Sequence, residues 1–217
     1  MGIQSRSSIV ALGLLAASLG VEATQISVHD TGVNVSDGLV ATGAIASFWA
    51  LSAEPAGATE TIGSNPCRFR HPSYFADSST AAWVAPTCGG NAGAGGFYTY
   101  SLSFDLTGLD PTTAAIAGVF GTDNNGSIDL NGTTGGATTT FAGFGAQTSF
   151  SFTNGFVAGL NMIDVRVNNG GDPTAFFVQF STATAGGPST SVPEPATLGL
   201  LGLGLTGVAF ARRKRKR

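Results

Sequence analysis

Residues 98–106 read Tyr-Thr-Tyr-Ser-Leu-Ser-Phe-Asp-Leu, and this stretch decides the fold. Every second residue from Tyr98 to Leu106 is apolar or aromatic, whereas the residues between them are threonine, serine or aspartate. A period of two residues is typical of a strand with one face in a core and the other in water. The stretch therefore predicts a long, half-buried β-strand.

The same alternation recurs along the chain. Clear further strands are predicted at 150–152, 163–167 and 176–180, and shorter ones at 26–28, 45–51, 115–120 and 127–130. Segments rich in Gly, Asn, Asp and Pro separate them and predict turns at 108–111, 123–126, 131–132, 154–155 and 168–173. No long amphipathic helical pattern lies between residues 24 and 192. The sequence therefore predicts an all-β fold, an antiparallel β-sandwich of the jelly-roll type.

Both chain ends carry hydrophobic segments that are not counted in this fold. Residues 1–23 contain Arg6, an apolar run at 9–19 and small or branched residues up to Ala23, which predicts a signal peptide removed after Ala23. The sandwich domain is then expected at 24–186 and a linker at 187–195. The apolar residues 196–211 would form a transmembrane helix of about 24 Å, and the basic tail 212–217 would extend its reach by snorkelling.

Three features follow one another at the C-terminus. Pro193, Glu194 and Pro195 precede the apolar run, and six basic residues end the chain: Arg212, Arg213, Lys214, Arg215, Lys216 and Arg217. Positive charge is retained on the cytoplasmic side of a membrane, so the tail is expected inside and the body outside.

This order of features resembles the PEP-CTERM sorting signal of Gram-negative bacteria, over about the last 25 residues. The resemblance implies that exosortase, a membrane-embedded cysteine transpeptidase, recognises Pro193, Glu194 and Pro195 and cuts near them. It also implies a membrane anchor before processing, and the cell surface or extracellular matrix afterwards. The alternative is an ordinary single-span tail anchor whose prolines merely stop a helix.

The body has a resemblance of its own. Several patches resemble a galactose-binding-like jelly roll common among PEP-CTERM proteins, over roughly residues 83–180: 82–86, 97–100, 104–111, 123–124, 128–132, and 156–161 with the strand that follows to 169. The resemblance supports the fold and supplies no ligand, because such folds host many functions.

Charge and motifs limit the functions of the body. Between residues 24 and 192 there are three arginines, no lysine and eleven acidic residues, a net charge of −8. Nucleic acid is therefore not expected as a partner, because neutralising phosphates needs a basic surface. The sequence contains no Gly-x-Ser-x-Gly or His-Glu-x-x-His motif, so we expect no enzyme and no cofactor. Glycoside hydrolysis uses two carboxylates that lie close together in space, and the sequence alone does not show which acidic residues do so.

Cys67 and Cys88 are the only cysteines. In an oxidising compartment such a pair normally forms a disulfide, worth about 3 kcal/mol for a loop of this length. A redox site would have closer spacing, and a zinc site would have more ligands.

Two groups of residues are candidates for binding. Arg68, Arg70, His71, Tyr74 and Trp83 lie between the cysteines and suggest a sugar-binding surface with an aromatic face; the alternative is that Tyr74 and Trp83 pack in the core. A second group offers the hard oxygen ligands that calcium prefers, without the spacing of an EF-hand: Asp123, Asn124, Asn125 and Asp129. A plain β-turn is the alternative there.

Together these features predict an exported, non-catalytic protein of the cell surface or extracellular polysaccharide matrix, sorted and processed by exosortase. The alternative function is a carbohydrate-binding module of that matrix.

Overall fold

A computed structural model describes residues 23–187, which form eleven strands. They are β1 (Ala23–Gln25), β2 (Ala50–Ala53), β3 (Cys67–Arg68), β4 (Val84–Ala85), β5 (Gly96–Asp105), β6 (Asp110–Asp123), β7 (Gly126–Leu130), β8 (Thr133–Thr139), β9 (Thr148–Phe152), β10 (Leu160–Asn169) and β11 (Ala175–Gly186). Within the described range no helix is long and apolar enough to cross a membrane. The predicted signal peptide up to Glu22, the linker from 188, the transmembrane helix 196–211 and the tail 212–217 lie outside the described residues.

The strands form two antiparallel sheets. Sheet 1 has the order β3-β4-β11-β6-β9, with β1 also paired to β11, and sheet 2 has the order β2-β5-β10-β7-β8. From β4 to β7 the chain alternates between the sheets, and it does so again from β8 to β11. The prediction of an all-β fold with antiparallel sheets is confirmed.

The alternating residues of the opening stretch form the core. On β5, Tyr98, Tyr100, Leu102 and Phe104 are buried. They lie beside the buried valines and isoleucine of β10, whose register pairs Val165 with Tyr100. Sheet 1 supplies the opposing side; the Phe176 ring stacks on Tyr100 with their centroids 4.5 Å apart. Burying each large side chain contributes about 1.5–3 kcal/mol, so this interface between the sheets holds the fold together.

The hairpin between β7 and β8 follows from its turn residues. Asn131 has φ 52° and Gly132 has φ 74°. Two successive residues with positive φ make a type I′ turn, which matches the twist of paired strands and favours Asn-Gly. The turn predicted at 131–132 is confirmed.

Three local predictions are wrong. Residues 26–28 form no strand, because the Val28 N–H bonds to the Ile26 carbonyl and turns the chain just after β1. Within 45–51 only the end is strand, since Phe48 has φ 72° and interrupts the extended backbone. Residues 110–111 are not a turn but the start of β6, where Asp110 pairs with Gly186.

A second apolar cluster covers the outer face of sheet 1. It contains Trp83, Ala85 and Phe177, whereas their neighbours Val84 and Phe176 point into the main core. The segment between Cys67 and Cys88, here called the disulfide loop, packs Tyr74 and other aromatic side chains onto this face. The predicted disulfide is confirmed, with Cα atoms 4.9 Å apart. It closes the loop that covers the outer face of sheet 1.

Candidate ligand-binding pocket

The structure places Trp83, one of the predicted sugar-binding residues, entirely inside the protein. Its side chain is 0% exposed, and its ring lies 4.5 Å from that of Tyr74 and 5.9 Å from that of Phe177, between centroids. The indole Nε1 donates a hydrogen bond to the Phe75 carbonyl at 3.0 Å. Trp83 therefore has no open face on which a sugar ring could stack. It packs in the protein interior, as in the alternative given above for this residue.

The two predicted arginines brace the disulfide loop. Arg68 donates to the Val40 carbonyl and, at 2.9 Å, to the Asp77 carboxylate. Arg70 donates to the Tyr74 and Phe75 carbonyls, both at 3.2 Å. Arg70 thus holds the backbone of the loop at Tyr74, whereas Arg68 ties the start of the loop to Val40 and to the Asp77 side chain.

Three of the four predicted calcium ligands have separate hydrogen-bond partners within the protein. Asp123, at the end of β6, accepts from Tyr74. Asn125 accepts from Asn168 at 3.0 Å, and Asp129, in β7, accepts from Ser127 at 2.9 Å. Among residues 23–187, no three acidic, histidine or cysteine side chains are grouped to hold a metal ion. Calcium binding stays a prediction that these contacts do not support.

Four loops meet at one end of the sandwich around a pocket of about 340 Å³, here called the end pocket. They are the disulfide loop, the β6–β7 turn, the β8–β9 loop and the β10–β11 loop. The side chains that give the pocket its chemistry are His71, Tyr74, Asp123, Phe141, Phe144 and Asp172. The pocket therefore brings together two residues of the predicted sugar-binding group, His71 and Tyr74, and two of the predicted calcium group, Asp123 and Asn124.

Asp123 forms the floor of the end pocket. The residue is 5% exposed, and its carboxylate accepts hydrogen bonds from the Tyr74 hydroxyl at 2.7 Å and from the Asn124 side chain at 2.9 Å. Burial raises the pKa of Asp123, although the Tyr74 hydrogen bond and the nearby His71 act in the opposite direction. Burial, and then Asp123 itself, raises the pKa of Tyr74. A carboxylate has about four acceptor positions, so Asp123 keeps capacity for a ligand donor.

An exposed aromatic ring stands at the rim. The Phe141 side chain is 67% exposed, whereas Phe144 is half-buried and lies 5.8 Å from Tyr74 between ring centroids. Asp172 is exposed and accepts from the Ala92 N–H at 2.9 Å through Oδ1. His71 accepts from the Ser73 N–H through Nδ1 at 3.3 Å, so the neutral ring carries its proton on Nε2 and can donate there.

Sequence reasoning missed Phe141, Phe144 and Asp172. The two phenylalanines lie in the segment Thr-Thr-Phe-Ala-Gly-Phe-Gly at 139–145, which has no strand alternation. Large aromatic residues outside any periodic pattern, in a glycine-rich loop, were the available signal. Asp172 carried no comparable signal, because Asp-Pro is ordinary turn chemistry.

The raised pKa of Asp123 predicts a pH dependence with a definite sign. Its folded pKa lies above the ordinary 3.8, so its contribution to stability is fully present below pH 3.8 and is lost as the pH rises through the folded pKa. Asp110 is the internal control, because hydrogen bonds from Thr112 lower its pKa and reverse the sign. Carboxyl carbon NMR titration should place Asp123 above 3.8 and Asp110 below it. Titration of Asp123 at or below 3.8 would contradict the described burial.

Together these features define an all-β protein of two antiparallel sheets, with one disulfide and an open pocket at one end. Residues 191–216 match the family description PEP-CTERM protein-sorting motif. This motif implies export, processing by exosortase and sorting to the cell surface. No curated protein and no solved structure shows significant similarity to the chain.

Proposed function

We propose that this chain is an exported, non-catalytic protein of the cell surface or extracellular matrix, anchored in the membrane by residues 196–211 until exosortase processes it. The observation that carries the proposal is the sorting motif at 191–216. The disulfide supports it, because such bonds persist in oxidising compartments outside the cytosol. The acidic body, with a net charge of −8, also suits a soluble exported domain.

We further propose that the sandwich is a jelly roll. Strands β4 to β11 divide into two sets of four, with the orders β4-β11-β6-β9 and β5-β10-β7-β8. Eight strands in two four-stranded sheets, connected as Greek keys, are the features of that architecture, and this order supports it.

Intact mass of the protein tests the sorting proposal. In cells with exosortase we expect a chain that starts near Thr24 and ends near Pro195, and in cells without the enzyme a chain that still ends at Arg217. The first mass follows from cleavage at both ends of the body, and the second from removal of the signal peptide alone. A chain ending at Arg217 in both strains would overturn exosortase processing and favour a permanent tail anchor.

The second candidate is a carbohydrate-binding module of the exopolysaccharide matrix. The specific observation in its favour is the end pocket, in which an exposed aromatic ring stands beside buried hydrogen-bonding groups. Ligand sites are typically concave and combine apolar walls with a few placed polar groups. Selective glycan binding without turnover is the behaviour that this candidate requires.

A further inference from the structure

We propose that the end pocket binds an uncharged sugar unit of a polysaccharide, with Phe141 as the stacking platform and Asp123 and Asp172 as hydrogen-bond acceptors. This proposal rests on the carbohydrate-binding candidate and narrows its ligand to neutral sugars. The proposed site lies at the end of the sandwich, whereas the sequence had placed it around Trp83 in the disulfide loop.

Phe141 is unusually exposed for a phenylalanine beside a cavity. A phenylalanine that is 67% exposed keeps most of its apolar surface in water, although it stands directly at the rim of a cavity. The other aromatic rings of this wall are covered: Phe144 is half-buried and Tyr74 is 3% exposed. Phe141 is therefore the ring that can gain a partner from solution, and the apolar face of a pyranose ring is a flat partner for it.

The hydrogen-bonding groups of the end pocket match the hydroxyl groups of a sugar. Asp123 has remaining acceptor capacity at the floor, and Asp172 offers a carboxylate at the rim. His71 can donate through Nε2. Sugar hydroxyl groups both donate and accept, so two carboxylates and one ring N–H suit several hydroxyls on one sugar unit better than they suit an apolar ligand.

The acidic character of the end pocket selects the class of sugar. Two aspartates line the pocket, and no lysine or arginine is among its described lining residues. The surrounding body carries a net charge of −8. A uronate or sulfated sugar would place its negative charge beside Asp123 and Asp172 with no lysine or arginine in the described lining to pair with it, and like charges brought together cost free energy. The pocket should therefore prefer neutral polysaccharides.

The shape of the pocket depends on a well-anchored wall. The Tyr74 hydroxyl holds Asp123 at 2.7 Å, and Asn124 accepts from the Gly170 N–H at 2.7 Å, which ties the β6–β7 turn to the β10–β11 loop. The Thr174 hydroxyl donates to the Asp123 carbonyl at 2.6 Å. These contacts fix the floor before a ligand arrives, so little conformational entropy remains to be lost there on binding.

The test compares the full chain with two matched variants on the same sugars. The protein is purified in a polyoxyethylene detergent, which has no sugar headgroup, and is titrated with neutral gluco-, galacto- and manno-hexasaccharides and with hexasaccharides of uronic acids. Phe141→Ala removes the stacking platform. Phe97→Ala is the control, because this phenylalanine is also exposed, at 40%, but lies on β5 under Arg166 and does not line the pocket.

We expect the wild type to bind at least one neutral hexasaccharide and no uronate. Phe141→Ala should weaken that binding about tenfold or more, and Phe97→Ala should leave it unchanged. Thermal melts check that both variants remain folded. Binding to uronates alone, binding to none of these sugars, equal affinity of Phe141→Ala and wild type, or loss through Phe97→Ala alone would each overturn the proposal. Release of new reducing ends from the bound sugar would overturn its non-catalytic part.

The sorting proposal has a separate readout. A protein that is cut near Pro195 but binds no neutral sugar would remove the pocket proposal and leave the sorting proposal in place. A protein that binds neutral sugars through Phe141 but keeps Arg217 would do the reverse.

Discussion

Trp83→Ala should destabilise the protein by about 3–5 kcal/mol, a large part of the roughly 5–15 kcal/mol that holds a typical domain folded. The fully buried indole fills the second apolar cluster between sheet 1 and the disulfide loop. Its loss would leave a cavity beside Tyr74, Phe75 and Phe177 and would remove the hydrogen bond to the Phe75 carbonyl. Chemical denaturation of the purified chain, with the disulfide intact, measures the effect.

Trp83→Phe is the matched control for this prediction. It keeps an aromatic ring in the cluster, so it should cost clearly less than alanine, although it too loses the Nε1–H donor. Phe141→Ala should change stability by less than about 0.5 kcal/mol, because its side chain is mostly in water already. A small effect of Trp83→Ala on unfolding would contradict the burial of Trp83 and restore it as a surface residue available to a ligand.

The sequence predicted strands well where one face alone is buried. The stretch around Tyr100 and the one around Val165 became β5 and β10, each within three residues of the predicted bounds and each with alternate residues in the core. Here the local pattern and the tertiary environment favour the same structure, so periodicity alone is sufficient.

Strand β8 was missed because its residues are determined by contacts with other strands and not by a pattern within its own sequence. It reads Thr-Thr-Gly-Gly-Ala-Thr-Thr, with no apolar alternation. At Gly136 an added Cβ would lie 2.2 Å from the Ile128 carbonyl oxygen and 2.7 Å from the Phe152 ring. Glycine is therefore required there by the close approach of β7 and β9, and a sequence pattern contains no record of that approach.

The candidate site was predicted only in part, for a similar reason. The sequence identified Tyr74 and Asp123 from their chemistry but assigned them to two different sites, because they are 49 residues apart in the chain. Only the packing of the disulfide loop over sheet 1 brings the Tyr74 hydroxyl to the Asp123 carboxylate. Trp83, the most conspicuous aromatic residue of that loop, is instead required by the packing itself.

Replacing Pro193, Glu194 and Pro195 together with alanine should abolish processing. Each proline lacks a backbone N–H and disfavours helix in the residue before it, so the sequence predicts a non-helical motif just before the apolar segment 196–211. Three alanines would remove this restriction on helix, and they would also remove the carboxylate that precedes the predicted transmembrane helix. We expect the variant to be exported and to remain in the membrane fraction with Arg217 attached, as judged by intact mass.

Pro188→Ala is the matched control, because this proline lies in the same linker but outside the motif. It should be processed like the wild type. Normal processing of the triple variant would mean that the prolines only end a helix, which is the tail-anchor alternative, and the match at 191–216 would then describe a membrane anchor without a recognition element. Failure of both variants would instead show that the whole linker must be extended to reach the enzyme. The pair therefore separates recognition of three particular residues from a general requirement for an accessible, non-helical segment outside the membrane.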